Sequence, residues 1–178
     1  MPKSSLLYKN IADVKKFDGY VIDTNVWLDL NGPFVDPHDL RTIEFSSLLK
    51  KISNEALPIV VPTLVVEEFC HAYLKLVHQD YCRSVQSLKL KEYRSTDDYK
   101  SHANTLSSEV DDLLTAYKFV NPDFSADDLR SAVAAIEKTQ CDLNDYLLAQ
   151  FSSKNRFIVI TGDTDFLNLN IPTITFKR

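Results

Sequence analysis

Apolar residues in this chain fall into short, nearly continuous runs separated by longer stretches of helical spacing. Gly19-Tyr20-Val21-Ile22-Asp23, Pro58-Ile59-Val60-Val61-Pro62 and Arg156-Phe157-Ile158-Val159-Ile160-Thr161 are brief and mostly β-branched, and the last is closed by Gly162-Asp163. Runs of this kind are expected of strands buried on both faces. Lys118-Phe119-Val120 and Ile174-Thr175-Phe176 are weaker candidates. The spacing predicts helices over 39–54, with Leu40, Ile43, Leu48, Leu49 and Ile52 on one face, and over 63–78, with Leu64, Phe69, Tyr73, Leu76 and Val77. Further helices are predicted over 97–117 (most clearly in its second half), 125–138 and 142–152. Ser125 followed three residues later by Asp128 supports a first helical turn. Strands alternating with helices imply an α/β domain with a mostly parallel sheet. In such sheets functional residues gather beyond the carboxyl ends of the strands, here just past Ile22, Val61 and Ile160.

Length and composition add limits. The 178 residues suit one domain, 1–178, able to bury its own core. With only three glycines and no repeat or low-complexity tract, no linker interrupts it. No apolar run approaches the roughly 18 residues of a membrane span. Met1 to Asn10 lacks a signal-type hydrophobic stretch, so a cytoplasmic protein without membrane contact is expected. Cys70, Cys82 and Cys141 are odd in number and form no CxxC pair, which argues for core thiols over disulfides or zinc. The net charge of −5 argues against a broad basic surface coating DNA. It is compatible with carboxylates gathered around cations, whose charge is offset locally when metal binds.

Acids occupy the strand ends. Asp23 ends the first strand, Glu67 and Glu68 follow the second, and Asp163 and Asp165 follow the third. Asp142 and Asp145 begin the helix that leads into it. Each alone could be a helix cap or turn residue. As a set, converging where adjacent strands lie about 5 Å apart, they would repel severely unless cations compensate. Mg²⁺ and Mn²⁺ take such oxygen ligands, and an all-carboxylate site points to hydrolysis of a phosphate ester. The chain has neither the glycine-rich run of a phosphate-binding loop nor the Gly-x-Ser-x-Gly of a hydrolase nucleophile.

Four segments resemble, in order, the motifs of PIN-domain ribonucleases. Val21-Ile22-Asp23-Thr24-Asn25-Val26-Trp27-Leu28 is similar to the opening motif, and Pro62 to Phe69 to the second, in which a helix supplies a glutamate. Asp142-Leu143-Asn144-Asp145-Tyr146-Leu147-Leu148-Ala149 resembles the third, and Ile160-Thr161-Gly162-Asp163-Thr164-Asp165-Phe166 the fourth. The resemblance covers the chain nearly end to end. It implies a three-layer α/β/α fold with a helical insertion around 76–117, and metal-dependent endoribonuclease activity with Mg²⁺ or Mn²⁺. Asp23, Glu68, Asp145 and Asp163 would be catalytic and would hold the metal, with Asp165 an outer member. Glu68 is preferred over Glu67 because it precedes a large apolar residue, Phe69, as the family's glutamate usually does. Thr24, Asn25 and Thr161 would orient the carboxylates by hydrogen bonds. Asp142 would share the face of Asp145 or cap the helix. The resemblance extends to the toxins of toxin–antitoxin pairs, so RNA as substrate, an antitoxin protein and a homodimer are the candidate partners.

Around these motifs, Lys75, Arg83, Lys89, Lys91 and Arg94, interleaved with Tyr73, Tyr81 and Tyr93, form a locally basic stretch. It reads either as a solvated helix face or as a surface that grips single-stranded RNA by phosphate contact and stacking. His71 and His78 have no third ligand at zinc spacing, and Trp27 is expected in the core. Two other readings stay open: a non-catalytic RNA- or partner-binding module on the same scaffold, and a DNA-directed structure-specific nuclease. The acid set speaks against the first, because a binding module gains nothing from crowded carboxylates.

Overall fold

The computed structural model describes residues 17–54, 58–139, 141–169 and 171–175. Met1 to Asn10 and Phe176, on which two of the expectations above bear, lie outside them. Among the described residues five strands form one sheet: β1 (Gly19–Ile22), β2 (Ile59–Pro62), β3 (Lys118–Val120), β4 (Phe157–Ile160) and β5 (Thr173–Ile174). Their order is β3-β2-β1-β4-β5, and every pairing is parallel. β1 and β4 are paired over Gly19 to Ile22, Val21 facing Val159 and Ile22 facing Ile160. The chain leaves β1 toward β2 and β3, then returns to the other side of β1 as β4. The junction of β1 and β4 is therefore the topological switch point, the place where open parallel sheets bind ligands.

Among the described residues there are seven α-helices: α1 (Thr24–Asn31), α2 (Leu40–Ile52), α3 (Thr63–Ser84), α4 (Leu90–Tyr93), α5 (Asp97–Ala116), α6 (Ala126–Thr139) and α7 (Leu143–Lys154). This is the expected α/β/α arrangement. α1, α2, α3 and α5 pack on one another, while α6 packs on α7 and α7 on β4. The hydrophobic pattern does not mark α1. Its apolar residues, Val26, Trp27, Leu28 and Leu30, are too close together to show a helical period, and the helix is fixed by its cap and by burial of Val26 and Trp27. α3 runs six residues beyond the expected end at 78, and with α4 and α5 it builds the helical insertion. Its stripe of Val65, Phe69, Tyr73 and Val77, one residue per turn, is fully buried.

The core joins the β1, β2 and β4 side chains to Trp27, Phe45, Phe69, Tyr73, Tyr93, Leu148 and Phe166. Trp27 is buried, as expected. Cys141 is buried too, but Cys70 and Cys82 are half-buried, and none of the three forms a disulfide among the described residues. His71 is exposed; His78 is half-buried with its Nε2 at 2.8 Å from the Leu88 carbonyl. Among the described residues no helix is long and apolar enough to cross a membrane.

Gly19 is required by close packing. Tyr20 N–H donates to the Pro58 carbonyl at 2.9 Å, and a Cβ on Gly19 would stand 2.8 Å from that oxygen and 3.3 Å from the Phe157 ring. The obstacle is backbone, which cannot swing aside. Gly19→Ala is expected to destabilise the fold by about 1–3 kcal/mol, as overpacking does, lowering the melting temperature by roughly 2–12 °C. Thermal denaturation followed by circular dichroism checks this; an unchanged midpoint would show that β1 and β2 can part at no cost.

Candidate functional site

The switch point is built around Asp23. Its N–H donates to the Ile160 carbonyl at 2.9 Å, carrying the β1–β4 ladder one residue past the strand. The same residue caps α1, with Oδ1 accepting from Thr24 N at 2.7 Å. Oδ2 accepts from Thr161 Oγ1 at 2.6 Å and from Asn25 Nδ2. A carboxylate oxygen has about two acceptor sites, so Oδ2 is filled while Oδ1 keeps one. The side chain is thus locked in orientation although only 4% exposed.

Asn25 and Thr161 extend this network to the loop after β4. Asn25 Oδ1 accepts from Gly162 N at 2.7 Å, and Thr161 Oγ1 accepts from Asp163 N at 2.9 Å. Asp163 Oδ1 in turn accepts from Asp165 N at 2.8 Å, closing the turn that starts the short 3-10 segment Asp165–Leu169. On the other side, Thr24 Oγ1 donates to Glu68 Oε2 at 3.1 Å. Thr24, Asn25 and Thr161 therefore all touch carboxyls of this group. Glu68 faces inward while Glu67 is exposed, because Glu68 lies next to the buried Phe69 on the inner side of α3. Asp142 caps α7, its Oδ1 accepting from Asp145 N at 2.9 Å. This places Asp145 in the first turn, where the helix dipole favours negative charge.

The acids feel one another. Burial raises the Asp23 carboxyl to about 7, with Glu68 and Asp163 adding repulsion against the hydrogen bond from Thr161. Burial likewise raises Asp145 to about 7, and Asp142, Asp23, Asp163 and Glu68 all push in the same direction. Glu68 is raised by burial and by Asp142, against hydrogen bonds from Thr24 and Asn144. Asn144 is a member of the site that the sequence pattern does not single out; its signal was its place between Asp142 and Asp145. Asp165 is exposed and joins the group through its backbone.

The basic stretch is different in kind. Lys75, Arg83, Lys89, Lys91 and Arg94 are all exposed, and Arg83 is paired with Asp80 at 3.4 Å. Its tyrosines are not a stacking platform. Tyr73 and Tyr93 are buried, and Tyr93 packs against the rings of His78, Tyr81 and Tyr99 while its hydroxyl donates to Asp98 at 2.7 Å. The rings of Tyr73 and Tyr93 went to the core, while the five cations stayed on the surface.

Among the described residues, no three His, Cys, Asp or Glu side chains are arranged to hold an ion as they stand. The donor set nevertheless fits a hard divalent cation in its chemistry. It consists of carboxylates alone, two of them hold protons near neutrality because they are buried and face other acids, and Asp23 Oδ1 retains an acceptor site.

A carboxyl whose folded pKa lies above its unfolded value binds its proton more tightly when folded. The resulting stabilisation is complete below about pH 4 and is lost as pH rises through about 7. Stability in the presence of a chelator should therefore fall between those values. Asp145→Asn removes the repelled charge. Discounted for partial exposure of the group, the gain at about pH 8 is about 1 kcal/mol, or roughly 2–4 °C, with little change at about pH 5. Melting temperatures of both proteins in EDTA at the two pH values test this; a mutant that loses stability at the higher pH would assign Asp145 a structural role.

No curated protein matches the chain in sequence. Its fold is similar to that of VapBC2 from Rickettsia felis, in a crystal structure with a DNA fragment from its promoter: 15% identity over 89% of this chain and 98% of that one, TM-score 0.51. It is also similar to PAE2754 from Pyrobaculum aerophilum, at 14% identity over 88% of this chain and 83% of that one, TM-score 0.50. The PIN domain family model matches residues 20–171, a span that holds β2, β3, β4 and every acid of the site, and the chain belongs to that family of nucleases.

Proposed function

We propose that this chain is a metal-dependent endoribonuclease that hydrolyses RNA phosphodiester bonds with Mg²⁺ or Mn²⁺, and that it acts as the toxin of a toxin–antitoxin pair, with residues 1–178 forming a single nuclease domain. The observation that carries the reading is the set of acids at the switch point, where Asp23 is joined through Thr24 to Glu68 and through Thr161 to Asp163. Asp23, Glu68, Asp145 and Asp163 would hold the cation, with Asp165 at the periphery. When bound, the ion supplies activation of a water and stabilisation of the leaving oxygen. The chain's own residues position the acids. Thr161, Asn25 and Thr24 N fix Asp23, Thr24 Oγ1 and Asn144 hold Glu68, and Asp142 sets the first turn that presents Asp145. Burial of Asp23 keeps bulk water from its filled oxygen. The antitoxin partner is supported by the motif resemblance and by the shared fold with VapBC2, a protein itself solved on promoter DNA.

Asp163→Asn separates charge from shape. Asn can still accept from Asp165 N, so the turn is kept while the charge is lost. Cleavage of RNA in Mg²⁺ or Mn²⁺ is expected to fall by on the order of 100-fold or more, with the fold intact, and EDTA should abolish wild-type cleavage. The assay compares defined RNA and DNA substrates. EDTA-resistant cleavage, or a mutant as fast as wild type, overturns the metal reading; preference for DNA overturns the substrate.

The exposed cations of the basic stretch are proposed to contact RNA phosphates. Lys89→Ala combined with Lys91→Ala should weaken RNA binding and flatten the slope of log affinity against log salt by roughly 1.4, at about 0.7 per phosphate contact on single strands. Binding measured with Ca²⁺ in place of Mg²⁺ at several salt concentrations reads the slope. An unchanged slope returns the stretch to solvent.

A further inference from the structure

Between α1, α2 and α5 lies a cavity of about 370 Å³, within the size range of sites for small organic molecules. Trp27 and Leu30 of α1, Leu49 of α2 and Leu113 of α5 give it apolar walls. Tyr117, just past α5, adds a second aromatic ring, its centroid 5.3 Å from that of Trp27. The cavity is separate from the acid cluster: Asn31, which lines it, lies about 10 Å along α1 from Thr24. None of its lining residues is an acid of the cluster or holds one.

Two features define what the cavity takes. The first is charge. Glu109 and Asp112 both line it, and no Lys, Arg or His does. Among the described residues neither carboxylate has an ion-pair partner. Asn31 Nδ2 donates to Glu109 Oε2 at 2.8 Å, which holds that carboxylate beside the cavity. The second is a buried donor. Trp27 is 1% exposed, and its Nε1–H has no acceptor among the described residues. A buried donor without an acceptor is unfavourable, and an occupant that carries an acceptor relieves this.

We propose that this cavity binds a small organic cation. An ammonium or guanidinium group is held by Glu109 and Asp112. Its apolar or aromatic body packs among Trp27, Tyr117 and the leucines, and a hydrogen-bond acceptor on that body meets the Trp27 N–H. The two rings suit the same charge, because aromatic faces attract cations. Anions are repelled by the two carboxylates. This inference is independent of the catalytic reading.

Trp27 is the only tryptophan in the chain, so its fluorescence reports on the cavity directly. The probe is tyramine, which joins an ammonium, an aromatic ring and a phenol oxygen as acceptor. It is titrated into the full chain with excitation at the red edge of the indole band, where phenols do not absorb, and free N-acetyltryptophanamide controls for collisional quenching. A saturable change is expected, with a Kd on the order of 100 µM for a ligand of this size. Tyrosol, with a hydroxyl in place of the ammonium, should bind about 10-fold more weakly. Phenethylamine, which lacks the phenol oxygen, should bind roughly 5-fold more weakly, and 3-(4-hydroxyphenyl)propionate, an anion, should not bind. Glu109→Gln combined with Asp112→Asn removes the charge and keeps the shape. It should weaken tyramine about 10-fold, to the level of tyrosol, and leave the affinity for tyrosol unchanged, which separates lost charge from lost fold. Wild type without a saturable change, tyrosol or phenethylamine as tight as tyramine, or a double variant that holds tyramine like the wild type overturns the proposal.

Discussion

The hydrogen bond from Thr161 Oγ1 to Asp23 Oδ2, at 2.6 Å, is the interaction on which the site depends. It joins the residues immediately after β1 and β4, and so fixes the two strand ends whose separation defines the switch point. It also supplies a donor to a carboxyl that is almost wholly removed from water, where an unpaired charge would be prohibitively costly. The same bond orients Thr161 Oγ1 as the acceptor shared by Asn25 Nδ2 and the Asp163 N–H, while Asn25 Oδ1 accepts from the Gly162 N–H and so ties the β4 loop to the start of α1.

Around that bond the fold gathers negative charge with the means at hand. Two helix N-termini serve the same region. Asp23 caps α1 and Asp142 caps α7, so both macrodipoles favour the anionic forms of acids nearby. This offsets the repulsion only in part, since Asp23, Glu68 and Asp145 all stay raised. The remaining imbalance is electrostatic, and a cation is the simplest means of relieving it. Capping and the proposed metal holding do not compete at Asp23: the geometry that satisfies the α1 N-terminus leaves one oxygen with an open acceptor site.

Much of this was legible in the sequence. The three strong strands were marked by short apolar runs, because a strand buried on both faces has no polar side to show. Acids directly after them were marked by position alone, as parallel topology sends strand ends to one edge. Thr24, Asn25 and Thr161 were legible through their motifs. Asn144 was not, since a lone Asn in a helix says nothing about which neighbour it will reach. Nor was α1, whose apolar residues are too dense for a period to emerge.

The sequence by itself determined the alternation of strands and helices, the parallel sheet and the candidate acids, because each follows from local spacing and residue type. Only tertiary structure decided the rest. Glu68 rather than Glu67 faces the cluster because the Phe69 stripe fixes the rotation of α3. Tyr73 and Tyr93 left the basic surface because their rings gained more from burial than from solvent. The raised proton affinity of Asp23 and Asp145 belongs to neither residue alone. It arises from desolvation and from charges brought together by segments more than a hundred residues apart, and no local pattern can encode that distance.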